Sequence, residues 1–160
     1  MKSRLWLLLI VAACERSGVT AAPSQPLPYS HRTHVAFGLT CRDCHRNPDP
    51  GDRMEFPLTT KCMSCHATVA QDKLAIQKLA AFNKAKEPVP WMRVFALPAG
   101  VYWNHRSHLE ASITCESCHG AVTQMDVMEN RTNVTTMAGC LDCHRQTKAG
   151  TGCEFCHEGK

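Results

Sequence analysis

The sequence has few of the residues from which an ordinary hydrophobic core is built. Only 6% of its 160 residues are aromatic, and the apolar run near its N-terminus covers just residues 5–13. A transmembrane helix needs about 20 apolar residues, so this run is too short to span a bilayer. Elsewhere the chain leaves no room for long apolar helices or strands, and we expect a thin protein core.

Cysteine, in contrast, is abundant and strictly patterned. Ten of the eleven cysteines fall in five copies of Cys-x-x-Cys-His, which begin at Cys41, Cys62, Cys115, Cys140 and Cys153. This motif is typical of covalent haem c attachment. Two thiols at this spacing reach the two vinyl groups on one porphyrin edge, and the following histidine binds the iron. The sequence therefore predicts five haem c groups, which supply the apolar mass that the chain lacks and couple its folding to the cofactor.

The motifs define most of the candidate site. The predicted thioether cysteines are Cys41, Cys44, Cys62, Cys65, Cys115, Cys118, Cys140, Cys143, Cys153 and Cys156. The predicted proximal iron ligands are His45, His66, His119, His144 and His157.

Two other uses of paired cysteines fit less well. Five disulfides suit an exported chain, but they do not explain a histidine after every pair. Zinc sites combine two Cys-x-x-Cys pairs, or one pair with distant histidines. Tetrahedral ligation does not require a histidine directly after the second cysteine, so haem attachment explains the pattern best.

The net charge does not indicate a nucleic-acid partner. The formal value is +4, but each oxidised haem with its two propionates adds roughly −1. Loss of Lys2 and Arg4 with an export signal would leave the mature protein near neutral or mildly acidic, on the order of −3.

An internal repeat relates the two halves of the chain. Seven residues in the first half recur 74 positions later, which places aromatic-x-His-x-x-His before a haem motif in each half. The pairs begin with Tyr29 and Trp103 and include His31, His34, His105 and His108. We predict two haem modules, residues 29–87 with two haems and residues 88–160 with three.

The four histidines of these doublets are all of the histidines outside the motifs. Spaced i, i+3, both members of a doublet lie on one side of a helical turn and can point toward neighbouring haems. We predict that His31, His34, His105 and His108 are distal iron ligands. His31 and His105 are assigned to the haems of the motifs that follow them, and His34 and His108 to other haems.

Five irons with four distal histidines leave one haem with a different sixth ligand or an open face. A methionine thioether is the usual substitute and raises the reduction potential. Met137, three residues before Cys140, is the first choice. Met125 and Met128 follow, and an open iron is the remaining option.

The N-terminus predicts export. Residues 1–4 are basic and residues 5–13 apolar, as in a signal peptide, which suits a cofactor that is attached outside the cytoplasm. Residues 11–14 resemble a bacterial lipoprotein processing box, with Cys14 as the lipidated N-terminus. The alternative is cleavage near residues 20–22 with loss of Cys14. Residues 23–28 are predicted to be an extended tether after the signal region, residues 1–22.

One long helical pattern runs over roughly residues 68–86, with Ala75, Leu79 and Phe82 at helical spacing and Pro88 and Pro90 beyond it. The rest of the chain is too rich in motifs for sheet. The predicted fold is mainly α with extensive loops around a core of haems, with little or no β-sheet.

The chain also resembles known families. Tyr29-Ser-His-Arg-Thr-His34 with its following motif is similar to class III-type multihaem cytochromes c. The stretches around Trp91, Trp103, Met125 and Thr136-Met-Ala-Gly-Cys140 resemble the pentahaem subunit of alternative complex III and of related menaquinol-oxidising complexes. This resemblance covers residues 29–157 and implies a chain of haems between a membrane quinol-oxidising complex and periplasmic cytochromes. The expected location is the periplasmic face of the bacterial inner membrane.

Three functions fit these residues. The chain is either an electron-transfer subunit of such a complex, a free lipid-anchored periplasmic carrier, or a haem reductase with one open iron. No general acid or base stands beside a motif, and every spare histidine is assigned as a ligand. Electron transfer without catalysis is therefore the favoured interpretation.

Overall fold

The computed structural model describes residues 22–128 and 133–157. The predicted export signal and Cys14 lie outside this range. The helices are α1 (His31–Ala36), α2 (Cys41–Cys44), α3 (Thr59–His66), α4 (Leu74–Ala85), α5 (His105–Glu110), α6 (Cys115–His119), α7 (Met137–Thr147) and α8 (Cys153–His157), with short 3-10 turns at Val122–Gln124 and Asn133–Thr135.

The prediction of a mainly α fold is confirmed, since the described residues contain helices and loops and no strand. None of the helices in this range combines the length and apolarity needed to cross a membrane.

Local capping explains where the histidine-bearing helices begin. Ser30 and Asn104, which are equivalent in the repeat, accept hydrogen bonds from Thr33 N (3.0 Å) and Ser107 N (2.8 Å). These bonds satisfy backbone donors that the first turn leaves open. The two doublets are thus held on short helices, α1 and α5, by the same device.

The α3–α4 hairpin, residues 59–87, carries the second motif and the largest apolar cluster. Leu79 of α4 is buried against Leu27 and Val89, with Phe82 and Trp91 packed around them. The helix predicted over residues 68–86 is shorter than expected and covers Leu74–Ala85. Ala70 has a φ of 56°, so the backbone turns there, before α4 begins. Lys86, with a φ of 58°, ends the helix two residues before Pro88.

The end of the predicted tether packs on this hairpin. Leu27 is buried, the side-chain amide of Gln25 donates to Met92 O (2.9 Å), and Lys78 Nζ donates to Pro26 O (3.1 Å). Residues 25–27 are therefore part of the folded unit.

The hydrophobic core is as thin as the composition indicates. Among the described residues, the buried hydrophobic side chains are Leu27, Leu79, Val89 and Val94. Large apolar side chains such as Phe37 (83% exposed) and Leu74 (81% exposed) lie at the surface. Burial of apolar area is the main source of folding free energy, so the polypeptide alone supplies little of it.

The two halves of the repeat are tied to each other by reciprocal contacts. The loop after the first motif caps α5, because Gly51 O accepts from His105 N (3.0 Å) and Arg106 N (3.2 Å). The loop after the third motif contacts α1, where Met125 O accepts from Arg32 N (3.0 Å). Each half thus positions the histidine helix of the other.

Candidate haem sites

Every Cys-x-x-Cys-His copy lies on a helix or at its end. Helices α2, α6 and α8 consist of the motif residues themselves, while α3 and α7 contain the second and fourth copies. Residues three apart on a helix share a face, so the two thiols of each motif stand side by side. This is the arrangement that two adjacent vinyl groups require.

Three pairs of imidazoles, each with one doublet and one motif histidine, lie at nearly the same separation. The ring centroids are 6.2 Å apart for His34 and His66, 6.4 Å for His105 and His119, and 6.2 Å for His108 and His144. Two imidazoles bound to one metal have centroids about 6 Å apart, given metal–nitrogen bonds of about 2 Å and about 1 Å from each nitrogen to its ring centre. Each pair therefore leaves the space that one six-coordinate iron needs.

The remaining doublet histidine, His31, lies close to His45. Burial, together with the neighbouring charges of His45 and His34, lowers the pKa of His31 to about 4. By the offset of 74, His31 and His45 correspond to His105 and His119. The two members of each corresponding pair are thus neighbours.

Backbone carbonyls orient six of the nine histidines. The Nδ1 atom lies within hydrogen-bond distance of a carbonyl oxygen in His34, His45, His66, His105, His108 and His144, over 2.6–3.1 Å. A carbonyl only accepts, so Nδ1 carries the proton and Nε2 of the neutral ring keeps its lone pair. Metal-binding histidines are usually held in this way. Sequence reasoning missed these acceptors, of which two are the N-cap carbonyls of Ser30 and Asn104 and the other four belong to residues without any shared pattern.

His31 differs from its counterpart in this respect. The Nδ1 atom of His105 bonds to Asp52 O (2.9 Å), whereas that of His31 is buried and has no hydrogen-bond partner among the described residues.

One aromatic residue holds both histidines in each half. The Tyr29 ring centroid is 4.9 Å from His31 and 4.4 Å from His34, and that of Trp103 is 4.3 Å from His105 and 5.3 Å from His108. Burial raises the pKa of the Tyr29 phenol. The aromatic position of the repeat therefore fixes the ligand helix rather than serving as a reactive group.

Contacts between thiols connect neighbouring motifs. Burial raises the pKa of Cys62, and nearby Cys44 raises it further, so the second motif lies beside the first. Burial raises the pKa of Cys115, and nearby Cys41 raises it further, so the third motif lies beside the first as well.

The later motifs continue this series. Burial raises the pKa of Cys118, with further contributions from Cys143 and Cys140 of the fourth motif. Burial also raises the pKa of Cys140, and Cys156 of the fifth motif adds to it. The spatial order of the motifs, named by their first cysteine, is Cys62, Cys41, Cys115, Cys140 and Cys153, which is not the order in the chain.

The structure bears on the two competing uses of cysteine. Both cysteines of the motifs at Cys41, Cys62, Cys140 and Cys153 are free thiols. In the described part of the chain, no three side chains of the histidine, cysteine, aspartate or glutamate type converge on a point where they could hold an ion such as zinc.

The fifth motif has a different environment from the others. His157 is exposed, and none of the ring contacts in the described range joins it to another histidine. Met137 is the first residue of α7 and is 66% exposed. Met125 and Met128 are half-buried on the loop that contacts α1.

Comparisons with known proteins agree with the cofactor that this geometry fits. A family model described as "Cytochrome c3" matches residues 33–93. The chain is also 23% identical over 149 residues to "Cytochrome c-type protein NrfB" of Escherichia coli O6:H1, a match that covers 80% of this chain and 78% of that protein. These similarities, together with the repeated motif and the paired imidazoles, support a multihaem c-type cytochrome that transfers electrons.

Proposed function

We propose that this protein is a pentahaem cytochrome c that passes electrons along a continuous series of five haems. The observation that carries the proposal is the set of imidazole pairs with centroids 6.2–6.4 Å apart. Such pairs suit irons with two histidine ligands, which serve electron transfer rather than substrate binding because no coordination position is left open.

We assign four ligand pairs, three on the imidazole separations and the fourth on the repeat of 74. His31 pairs with His45, His34 with His66, His105 with His119, and His108 with His144. Each doublet thus serves two neighbouring haems, as the i, i+3 spacing indicates. The fifth proximal ligand is His157.

Met137 is proposed as the sixth ligand of the fifth haem. Met137 and Cys140 share a face of α7 because they are three residues apart. Cys156 lies close enough to Cys140 to raise the pKa of Cys140. The start of α7 is therefore beside the fifth motif, and the exposed Met137 thioether is free to turn toward it.

The polypeptide prepares each site for its group. The paired thiols would hold the porphyrin as thioethers by adding across its two vinyl groups, and the carbonyls at Nδ1 fix the tautomer and make the ligand nitrogen more basic. Haem c, when bound, supplies one-electron exchange between ferric and ferrous iron. Tyr29 and Trp103 keep the imidazoles in place, which limits the rearrangement that accompanies a change of charge.

The electrons are proposed to follow the order of the motifs in space. The first and third motifs, equivalent in the repeat, form the centre of the series, and the motifs at Cys62 and Cys153 are its ends. The predicted haem modules, residues 29–87 and 88–160, meet at that centre. Electrons would thus cross between the modules where Cys41 and Cys115 lie side by side.

We further propose that the protein works outside the cytoplasm, as a subunit of a membrane quinol-oxidising complex or as a carrier to periplasmic cytochromes. The basic and apolar segments at residues 1–13 support export. Cys14 supports a lipid anchor on the periplasmic face of the inner membrane.

The experiment is mass measurement of the natively exported protein. The proposal expects the mass of five haem groups above that of the processed chain, and four after Cys153→Ala with Cys156→Ala. A wild-type product with fewer than five haems would contradict it. Carbon monoxide added to the reduced protein separates the functions, because a closed series binds none and a reductase with an open iron binds one equivalent.

A further inference from the structure

The α3–α4 hairpin has an uneven charge. Residues 59–87 contain five lysines and two acidic residues, Asp72 and Glu87. The lysines are all exposed and are Lys61, Lys73, Lys78, Lys84 and Lys86. In the described part of the chain every salt bridge is made by an arginine, so none of these ammonium groups is neutralised in an ion pair.

Two of these lysines lie on the face of α4 that points away from the apolar cluster. Leu79, Ile76 and Phe82 of α4 pack into the apolar cluster. At 100° per residue, Lys73 and Lys84 fall on the opposite face, and Lys78 lies at its border. We call this outward face of α4, with Lys61 and Lys86, the lysine surface.

The lysine surface belongs to the motif at one end of the series. The second motif, Cys62–His66, lies on α3, the partner of α4 in the hairpin. A groove between the two helices is lined by Met63, Ile76 and Gln77 and reaches His66. A molecule bound to the lysine surface is therefore next to the haem site at Cys62, which is one end of the series. The fifth motif is at the other end.

Among the residues up to 157 that the structure describes, the opposite end has no comparable charge. Near the fifth motif, Arg145 is paired with Asp142 (3.2 Å). The positive charge of Lys148 is balanced by the negative charge of Glu154. The two ends of the series thus differ in the chemistry of the partner that each attracts.

Resting on the proposed function, we propose that the lysine surface is the docking site of a redox protein that presents carboxylates. Electrons would cross here to or from the haem at Cys62. Opposite surface charges steer two proteins together and raise the association rate without requiring a tight complex. Turnover along a haem series needs this kind of fast, reversible encounter.

A membrane surface is the less favoured occupant. A helix that lies in a bilayer interface needs an apolar face to insert. The apolar face of α4 is already packed against Leu27 and Val89, and its outward face carries lysines, Gln77 and a single exposed leucine, Leu74. Attraction to anionic lipid headgroups remains as an outcome of the test.

The test compares two double variants of the full holoprotein with equal loss of charge. Lys73→Gln with Lys84→Gln alters the lysine surface and leaves Lys78, which bonds to Pro26, intact. Arg53→Gln with Lys148→Gln is the matched control outside the hairpin. The probe is plastocyanin, an acidic blue-copper protein, and its reduction by the reduced cytochrome is followed by rapid mixing over a range of salt concentrations.

The lysine-surface variant should reduce plastocyanin about tenfold more slowly at low salt, and its rate should depend less on salt. The control variant should stay within about twofold of the wild type. Binding is followed independently by the changes in amide chemical shift of ¹⁵N-labelled plastocyanin on addition of the cytochrome. These changes should become smaller with the lysine-surface variant alone. Equal losses in both variants, or none in the lysine-surface variant, would overturn the proposal.

Sedimentation with phosphatidylglycerol vesicles separates the membrane alternative. Vesicle binding that depends on Lys73 and Lys84, with unchanged plastocyanin kinetics, would also overturn the proposal. Failure of the proposed function looks different, because a chain without its haems would reduce no oxidant, ferricyanide included, whichever variant is used.

Discussion

The carboxylate of Asp49 pairs with the guanidinium of Arg106 and joins the loop after the first motif to the ligand helix of the second half. Arg32 and Asp126 form the corresponding bridge in the other direction. Both pairs are exposed, and exposed ion pairs contribute little by themselves. Their significance is positional, because each marks a loop that fixes a histidine doublet of the opposite half.

Gly51 is the tightest point of this arrangement, and we predict that Gly51→Ala destabilises the protein. Its φ is +100°, and an added Cβ would lie 2.7 Å from Arg106 Cβ. Backbone strain and this clash together should cost about 1–3 kcal/mol. Guanidinium unfolding of the holoprotein, followed by circular dichroism, measures the loss.

Gly38→Ala is the matched control for this prediction. Gly38 has a φ of +89°, but an added Cβ would meet nothing within 4 Å. It should show the strain alone, about 1 kcal/mol. Equal effects of the two substitutions would show that the contact with Arg106 is unimportant.

Gly139→Ala should destabilise the protein although alanine is the better helix former. Gly139 lies in the first turn of α7, and a Cβ there would be 2.6 Å from Asn133 O and 2.8 Å from Val134 Cα. These are backbone atoms, which cannot move aside as a side chain can. Helix propensity alone would make the alanine variant more stable by about 1 kcal/mol. A clash that outweighs this gain lowers the stability instead, which thermal unfolding of the variant measures. A rise in stability would mean that the 3-10 turn at Asn133–Thr135 is not packed on α7.

Asp126 should make stability depend on pH. Its hydrogen bonds to Ser30 and Arg32 hold its pKa below the usual value, which is about 3.9 for a free aspartate. The folded state therefore binds fewer protons than the unfolded state between the two values. The stabilisation is present above about pH 4 and is lost as the pH falls through the lowered pKa.

Asp126→Asn tests this dependence. The variant should be less stable than the wild type at pH 7, and the difference should shrink toward pH 3. Urea unfolding at several pH values measures it. Asp72→Asn, at an exposed position of the hairpin, is the control for net charge, and an equal pH dependence in both variants would show that the contacts of Asp126 are not responsible.

The sequence was sufficient for predictions that depend on residues close together in the chain, namely the five motifs and the two histidine doublets. The helical fold predicted from them is confirmed, while the five haem positions and the ligand roles of His31 and His105 stay predictions. The chemistry of a motif lies within five residues, so it does not depend on the tertiary structure.

Long-range relationships were beyond this reasoning. The spatial order of the motifs depends on the contact between Cys41 and Cys115, which are 74 residues apart in the chain. The acceptors at Nδ1 are main-chain oxygens of residues such as Asp52 and Gly150, whose side chains carry no signal for this role. The length of α4 was overestimated because an apolar spacing continues through Ala70, where the backbone turns.

Met137→Leu should open one iron if Met137 is the sixth ligand of the fifth haem. Leucine keeps the size and apolarity of the side chain but lacks the sulfur that binds iron. The wild type should show a near-infrared methionine-to-iron band and bind no carbon monoxide when reduced, whereas the variant should lose the band and bind one equivalent. Met92→Leu, at another exposed methionine, is the matched control and should leave both signals unchanged. His108→Ala, which opens the fourth haem site, is the positive control for carbon monoxide binding. If Met137→Leu behaves like the Met92→Leu control, the sixth ligand of the fifth haem is another residue.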